Sequence, residues 1–387
     1  MALGSRKLAI VFGGDFPEGN TKNARLKIIA QELQKHRWQS TFYSAMPYRF
    51  SKNLPFSQPK YWEGFTIRYF SITRKYPAYF ALRIGQAVVA HMHILWWTIF
   101  SAHRYDALFY YNPRWSDTLL SLYINSLLGR KVLVNQTELF SSGVNPKWHE
   151  SEERVIANRA TVLLPISTKL MRHFQTLRNN ETYLFPIIVN TDRFDLLVKE
   201  QPFLMGYIGS FASKDGIDVL LEGLKKSLPR YPQLTLRLIG HNPEMYRLEE
   251  KVIAMGLHEN VEITGTVKYE AIPRLLLECD TLLMNRDDSH FSTYGYPIKL
   301  GEYFACKKPV IMSEGKGFSE DYEDGNQVYT YAINDAQSLA EKIQYRYTHV
   351  EESEAVALRG YHYAKDHFDG AKLGLFLVDI LEKTCGK

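Results

Sequence analysis

Cysteine is scarce in this chain. Its 387 residues include only Cys279, Cys306 and Cys385, with no Cys-x-x-Cys spacing. That is too few for a disulfide framework and argues against a structural zinc site. It points instead to a reducing compartment, hence a cytoplasmic location. Long apolar runs are missing too. A membrane-crossing helix needs about 18 or more residues of that kind. The nearest approach, residues 87–102, is interrupted by His91 and His93 and flanked by Arg83 and Arg104. Two histidines two apart do not share a helix face, so no metal site is expected of them. The opening MALGSRKLAIVFGGDF lacks the cleavage-like segment of a secretory signal. Glycine (24) and proline (16) are too few for a collagen-like or low-complexity chain. Three catalytic signatures are absent. Without G-x-S-x-G an α/β-hydrolase is disfavoured, and without G-x-G-x-x-G a dinucleotide-dependent dehydrogenase is weakly supported. No Asp-x-Asp occurs to hold a cation, although Asp287-Asp288 is a lesser candidate.

What the chain does have is length for two or three domains at about 150 residues each, and an uneven charge. Residues 1–200 carry 26 Lys+Arg against 14 Asp+Glu, a balance of +12; residues 201–387 carry 21 against 28, or −7. A basic half joined to an acidic half suggests a different partner for each. The basic half is also rich in aromatics, among them Tyr61, Trp62, Phe65, Tyr69, Phe70, Tyr79, Trp96 and Trp97. An anionic membrane surface or a nucleic acid would both suit it, but no nucleic-acid-binding motif is present.

Short apolar runs alternate with helical patterns. Leu8–Phe12 ends at Gly13-Gly14, and Leu26, Ile29, Ala30 and Leu33 then mark one helix face. Strands are expected at 40–43, 65–69, 107–111, 131–134, 161–165 and 182–185. The pattern restarts at Phe203–Ile208, which ends in Gly209, with a helix face at Ile217, Leu220, Leu221, Leu224 and Leu228. Further strands follow at 234–238, 261–263, 281–284 and 310–312. Strands separated by helices predict parallel sheets covered on both faces, in two α/β domains joined near residues 190–202. In such sheets ligands bind beyond the carboxyl ends of the strands, and two sheets facing one another would leave a cleft for a small molecule.

Four stretches could carry chemistry there. In YGYPIKLGEYFACKKPVI, residues 294–311, the turn at Gly295–Pro297 exposes backbone N–H groups from about Gly295 through Tyr296 to Ile298. These suit a diphosphate, with Lys299 adding a point charge. Glu302, one helical turn on, could accept hydrogen bonds from vicinal hydroxyls; alternatively, Lys299 and Glu302 form an ordinary solvated i,i+3 pair. In YIGSFASKDG, residues 207–216, Lys214 stands above the strand-end glycine, Gly209, and can reach a phosphate or simply solvent. In the first half, Gly13-Gly14 permits close approach to a ligand or makes a tight turn. Glu138, just after a strand end, can orient or deprotonate an acceptor hydroxyl or serve as a loop carboxylate.

Taken together these stretches resemble retaining GT-B glycosyltransferases of the group-1 kind, glycosyltransferase family 4. The likeness is strongest from Phe203 to Met312. NVEITGTVKYEAIPRLLLECD, residues 260–280, is similar to the family's strand–Gly–helix–Asp unit, and FACKKPVI, residues 304–311, to its small-residue and Pro-Val-Ile run. The family's paired glutamates are separated by seven residues. Glu302 matches the second, but Tyr294 stands in place of the first. Pro297–Tyr303 instead resembles the subset that reads Pro-x-Lys-x-x-Glu-Tyr. Ser210 occupies a position where many members carry a phosphate-binding arginine, and Arg286 is a candidate substitute.

The resemblance implies a GT-B fold of two Rossmann-like domains: an acceptor domain at 1–199, a donor domain at 200–365, and a helix at 366–387 returning to the first. It implies transfer of a sugar, with retention, from a nucleotide diphosphate sugar to a glycan or lipid-linked glycan. No metal or other cofactor is called for, because the leaving phosphate takes the acceptor proton. Lys214, Lys299 and Glu302 would act on the donor, with Gly13, Gly14, Gly209, Ser210, Arg286, Tyr294, Gly295, Tyr296 and Ile298 around it and Glu138 on the acceptor side. Arg68, Arg74, Lys75 and Arg83, with neighbouring aromatics, would meet an anionic membrane surface. Two rivals of related architecture remain: a sugar-nucleotide epimerase, and a non-catalytic relative that only binds sugar nucleotide or glycan.

Overall fold

The computed structural model describes residues 5–14, 16–17, 21–45, 60–70, 79–142, 146–178, 181–212, 215–242, 245–286, 294–315 and 321–386. The chain forms two compact units, one of residues 1–186 with 370–387 and the other of residues 187–369.

The first unit is built on β1 (Arg6–Phe12), β2 (Trp38–Ser44), β3 (Lys60–Trp62), β4 (Phe65–Tyr69), β5 (Ala107–Tyr111), β6 (Val132–Gln136), β7 (Val162–Pro165) and β8 (Glu181–Thr182). They form one sheet in the order β3-β4-β2-β1-β5-β6-β7-β8. All neighbours are parallel except β3 and β4, a hairpin turned by Glu63 and Gly64, both at positive φ. This Glu-Gly turn is of the sort that favours tight hairpins; β4 coincides with the strand expected at 65–69, and its antiparallel partner β3 is an addition to the expected strands. The connecting helices are α1 (Thr21–Lys35), α2 (Phe80–Phe100), α3 (Leu119–Leu127), α4 (Pro146–Arg159) and α5 (Thr168–Leu177). Leu26, Ile29, Ala30 and Leu33 of α1 are buried, so the face read from the sequence is the packed one. Leu8–Phe12 of β1 and Ala107–Tyr111 of β5 are buried along their length because helices cover both faces.

The second unit has β9 (Gln201–Gly209), α6 (Ile217–Ser227), β10 (Thr235–Gly240), α7 (Met245–Ala254), β11 (Val261–Gly265), α8 (Ile272–Leu277), β12 (Cys279–Met284), α9 (Lys299–Ala305), β13 (Val310–Ser313), β14 (Tyr329–Tyr331), α10 (Ala336–Thr348) and α11 (Val350–His367). Its sheet is parallel, in the order β11-β10-β9-β12-β13-β14. Leu220, Leu221 and Leu224 of α6 pack with Leu236, Leu238, Leu283 and Leu339 in its core. Residues 187–199 go with this unit because their bonds lead there: the Val189 N–H donates to the Phe368 carbonyl, and the Thr191 hydroxyl donates to Asp369. After Asp369 the chain enters the last helix, α12 (Gly370–Cys385), which packs on α1 in the first unit.

Each sheet has one point where its strand order reverses, β1 between β2 and β5 and β9 between β10 and β12. A crevice opens beyond the carboxyl end of the strand at such a point. Gly13-Gly14 follows β1 and Gly209 ends β9, so topology alone places these glycines at the two crevices.

Candidate functional site

At the end of β9 the side chain of Tyr207 folds back over Gly209. A Cβ on Gly209 would approach the Tyr207 hydroxyl to 2.6 Å, so only glycine leaves that phenol in place. Lys299, at the start of α9, donates to the same hydroxyl at 2.8 Å, and its Nζ lies 3.6 Å from the Asp215 carboxylate. Asp215 in turn accepts from the Ser210 hydroxyl (3.1 Å) and from the Ala212 N–H (3.2 Å), which fixes the loop leaving β9. Burial and the neighbouring Asp215 push the Tyr207 phenol well above its ordinary range, so Tyr207 stays protonated.

Asn285, after β12, donates to the backbone carbonyls of Asp215 and Gly216 and accepts from the Tyr331 hydroxyl at 2.6 Å. Arg286 follows it, half-buried, with its backbone N–H on the Ser313 hydroxyl at 2.9 Å. Its charge is felt at Tyr207, where it lowers the phenol's pKa. Lys299, Ser210 and Arg286 therefore gather around the strand end that Gly209 closes. Tyr207, Asp215 and Asn285 complete the arrangement and were not singled out from the sequence.

Glu302 belongs to a second group of side chains. Burial raises its carboxyl from 4.5 to about 7, and Arg193 acts in the opposite direction. The Arg193 guanidinium lies 3.6 Å from Glu302, stacks 3.8 Å above the Tyr269 ring and donates to the Tyr269 carbonyl at 2.8 Å. Lys299 and Glu302 thus do not make a solvated i,i+3 pair: both are largely buried, and they turn to different partners.

Of the turn before α9, Gly295 and Tyr296 are buried, while Tyr294 and Ile298 are half-buried. The Tyr296 phenol is committed to the interior. It hydrogen-bonds the Tyr322 hydroxyl and packs 5.8 Å from the Phe368 ring, so only its backbone can serve a ligand. Lys214 lies outside the described residues, as do Asp287 and Asp288.

In the first unit, Gly13 faces Asp117 so closely that a Cβ would meet its Oδ2 at 2.3 Å, and Lys22 donates to the Gly13 carbonyl at 2.8 Å. Burial raises the Asp117 carboxyl. Glu138 follows β6 and is exposed, its carbonyl accepting from Gln136 at 2.8 Å. Among the described residues no group of three or more His, Cys, Asp or Glu converges as a metal site would require.

The chain shares sequence and fold with known proteins. Residues 189–361 match the family model of glycosyl transferases group 1. An exopolysaccharide phosphotransferase of Streptomyces coelicolor, SCO2592, is 32% identical over 130 residues, 33% of this chain and 13% of that protein. An uncharacterized glycosyltransferase of Methanocaldococcus jannaschii, MJ1178, is 24% identical over 158 residues, 41% of this chain and 42% of that one. The chain thus spans less than half the length of either relative. Among solved structures, Anabaena Alr3699/HepE in complex with UDP superposes with a TM-score of 0.74 at 16% identity, covering 97% of this chain and 100% of that one. The fold is that of the GT-B glycosyltransferases.

Proposed function

Because residues 189–361 match the group 1 glycosyltransferase family model and the fold is GT-B, we propose that the protein is a retaining, metal-independent transferase. It moves a hexosyl unit from a nucleoside diphosphate sugar to a glycan or lipid-linked glycan hydroxyl in surface-polysaccharide or glycolipid assembly. The observation that carries this reading is the placement of Lys299 at the end of β9, held by Tyr207 and Asp215 over the glycine at the point of strand reversal.

In this reading the bond between the anomeric carbon and the diphosphate oxygen breaks while a bond to the acceptor oxygen forms on the same face. The acceptor proton passes to the departing phosphate. Lys299, Lys214, Arg286 and the backbone N–H groups of Gly295, Tyr296 and Ile298 stabilise the growing diphosphate charge. Removing a single preorganised donor of this kind costs about 2.7–4 kcal/mol in a measured case from another enzyme. Gly209 and Ser210 give the diphosphate close access, Glu302 binds the ribose hydroxyls, and Tyr294 stands beside the sugar. Gly13-Gly14 and Glu138 serve from the first unit. The UDP in the Anabaena structure makes uridine diphosphate sugars the first donors to test.

The test is a panel of nucleotide sugars screened by thermal shift, followed by product analysis with and without acceptor in EDTA. A true donor raises the melting temperature of the wild-type protein but not of Lys299→Ala, and sugar appears on the acceptor with retained configuration. Donor converted without acceptor would mean an epimerase, and donor bound but never consumed a non-catalytic relative. Either outcome overturns the proposal.

A further inference from the structure

The residues that follow β12 tie the ends of four strands together. Asn285 is fully buried, and its Nδ2 donates to the Asp215 carbonyl at 3.3 Å and to the Gly216 carbonyl at 3.2 Å. Carbonyls only accept, so the amide nitrogen must face them and the amide oxygen must face away. There it accepts from the hydroxyl of Tyr331, at the end of β14, at 2.6 Å. Arg286 is gripped through its backbone. The Ser313 hydroxyl, at the end of β13, accepts from the Arg286 N–H at 2.9 Å and donates to the Arg286 carbonyl at 3.1 Å. Ser313 and Tyr331 are partners in the β13–β14 register, and both are buried. Three buried polar side chains thus join β9, β12, β13 and β14 at the edge where the crevice of this sheet opens.

The fit around the Asn285 amide is close. Gly216 lies at φ 51°, and a Cβ there would overlap the Asn285 Nδ2. Leucine at 285 would fill similar space but offer nothing to two carbonyls and a hydroxyl. Aspartate would set an ionised carboxylate against two carbonyl oxygens with no hydrogen to give. The contacts run on toward Lys299. The buried Asp215 carboxylate accepts from the Ser210 hydroxyl and the Ala212 N–H and lies 3.6 Å from the Lys299 Nζ. Asn285 therefore grips the main chain of the residue whose side chain faces Lys299.

We propose that Asn285 is a positioning residue of the diphosphate site: by fixing the backbone of Asp215 and Gly216 it sets where Lys299 points, and Tyr331 keeps its amide in place. The inference rests on the transferase reading given above and extends it to a residue buried too deeply to touch a ligand. A loop that leaves a parallel strand can shift, and a shift of Asp215 would alter the tether on Lys299. Charge on a departing diphosphate is stabilised only by donors already in place. A displacement of about 1 Å in an active site can cost about a hundredfold in rate. The clasp supplies a fixed position and leaves the contacts with the nucleotide to Lys299 and its neighbours. Arg286 adjoins Asn285 in the chain, so one anchor serves both cations.

The test titrates UDP, GDP and ADP into the full chain by calorimetry and carries the nucleotide that binds through a double-mutant cycle. Asn285→Ala is expected to lower nucleotide affinity about tenfold. Lys299→Ala then costs a smaller factor in the Asn285→Ala background than in the wild type, because residues of one network do not act additively. Tyr331→Phe weakens binding in the same direction by a smaller factor. Urea midpoints establish that each variant is folded. Two results overturn the proposal: wild-type affinity in a less stable Asn285→Ala protein, or the same Lys299→Ala factor in both backgrounds. Either leaves Asn285 a role in stability alone. Should Asn285→Ala fail to fold, the cycle is run with Tyr331→Phe, and wild-type affinity there overturns the proposal equally. A wild-type chain that binds none of the three nucleotides fails the reading of the site, and the inference with it. Binding that needs Lys299 but ignores Asn285 fails the inference alone.

Discussion

Glu302 couples the site to pH. Its folded carboxyl titrates near 7, against 4.5 for the free group, because burial outweighs the attraction of Arg193 at 3.6 Å. The folded protein therefore holds a proton that the unfolded chain releases between those values, and stability falls as pH rises from about 4.5 to 7. The full span is on the order of 3 kcal/mol. Glu302→Gln removes this dependence: the variant melts higher than the wild type at pH 8 and matches it at pH 4, while its nucleotide affinity drops. Urea titrations of both proteins across that range check the slope, and a slope unchanged by the substitution would contradict the assignment. Replacing Arg193 by Met removes this opposing charge and extends the wild-type slope to higher pH. Tyr207 gives a second prediction at this scale. Tyr207→Phe deletes the hydroxyl to which Lys299 donates. One such hydrogen bond is worth about 0.5–1.5 kcal/mol, so UDP affinity should fall about two- to tenfold, less than for Lys299→Ala. Isothermal titration with UDP separates the two.

At the scale of elements, the closing helix gives the sharpest expectation. α12 crosses α1 at Gly374, where a Cβ would meet the Cβ of Glu32 at 2.4 Å. That atom is near the backbone and cannot swing aside as a side-chain tip would, so Gly374→Ile must part the two helices. Overpacking of this kind costs about 1–3 kcal/mol, to be read as a lower urea midpoint with an unchanged slope. Helix faces such as Leu26, Ile29 and Leu33 were legible in the sequence because a period of 3.6 is local. Gly209 and the start of α9 were legible for the same reason: a strand run, a glycine and a proline turn are each read within ten residues. The partners were not. Tyr207 meets Lys299 and Arg193 meets Glu302 across some ninety or more positions, and only the strand order brings them together. β4 was legible at 65–69, but its partner β3 was not, although Glu63-Gly64 is a turn signal, because β3 is only three residues long. The exposed face of α2 was hidden by a different cause. Its sequence is apolar on both sides, so periodicity could not tell the packed side from the free one.

For the whole molecule, each unit has its own sheet and its own buried core, so unfolding need not be a single event. Calorimetry is expected to resolve two transitions. Gly374→Ile lowers the one belonging to residues 1–186 with 370–387, and Glu302→Gln at pH 8 raises the one belonging to residues 187–369, which assigns them independently. UDP binds through groups of the second unit in the proposed reaction, so at a hundred times its dissociation constant it should stabilise that unit by about 2.7 kcal/mol. A complete donor sugar adds a further test. Where Gly13-Gly14 reaches the diphosphate, the donor also raises the transition of the first unit, and Gly13→Ala, which drives a methyl into Asp117, cancels that second shift while leaving the UDP effect intact. A donor that moves the second unit's transition alone would remove Gly13 and Gly14 from the site and leave the Lys299 assignment standing.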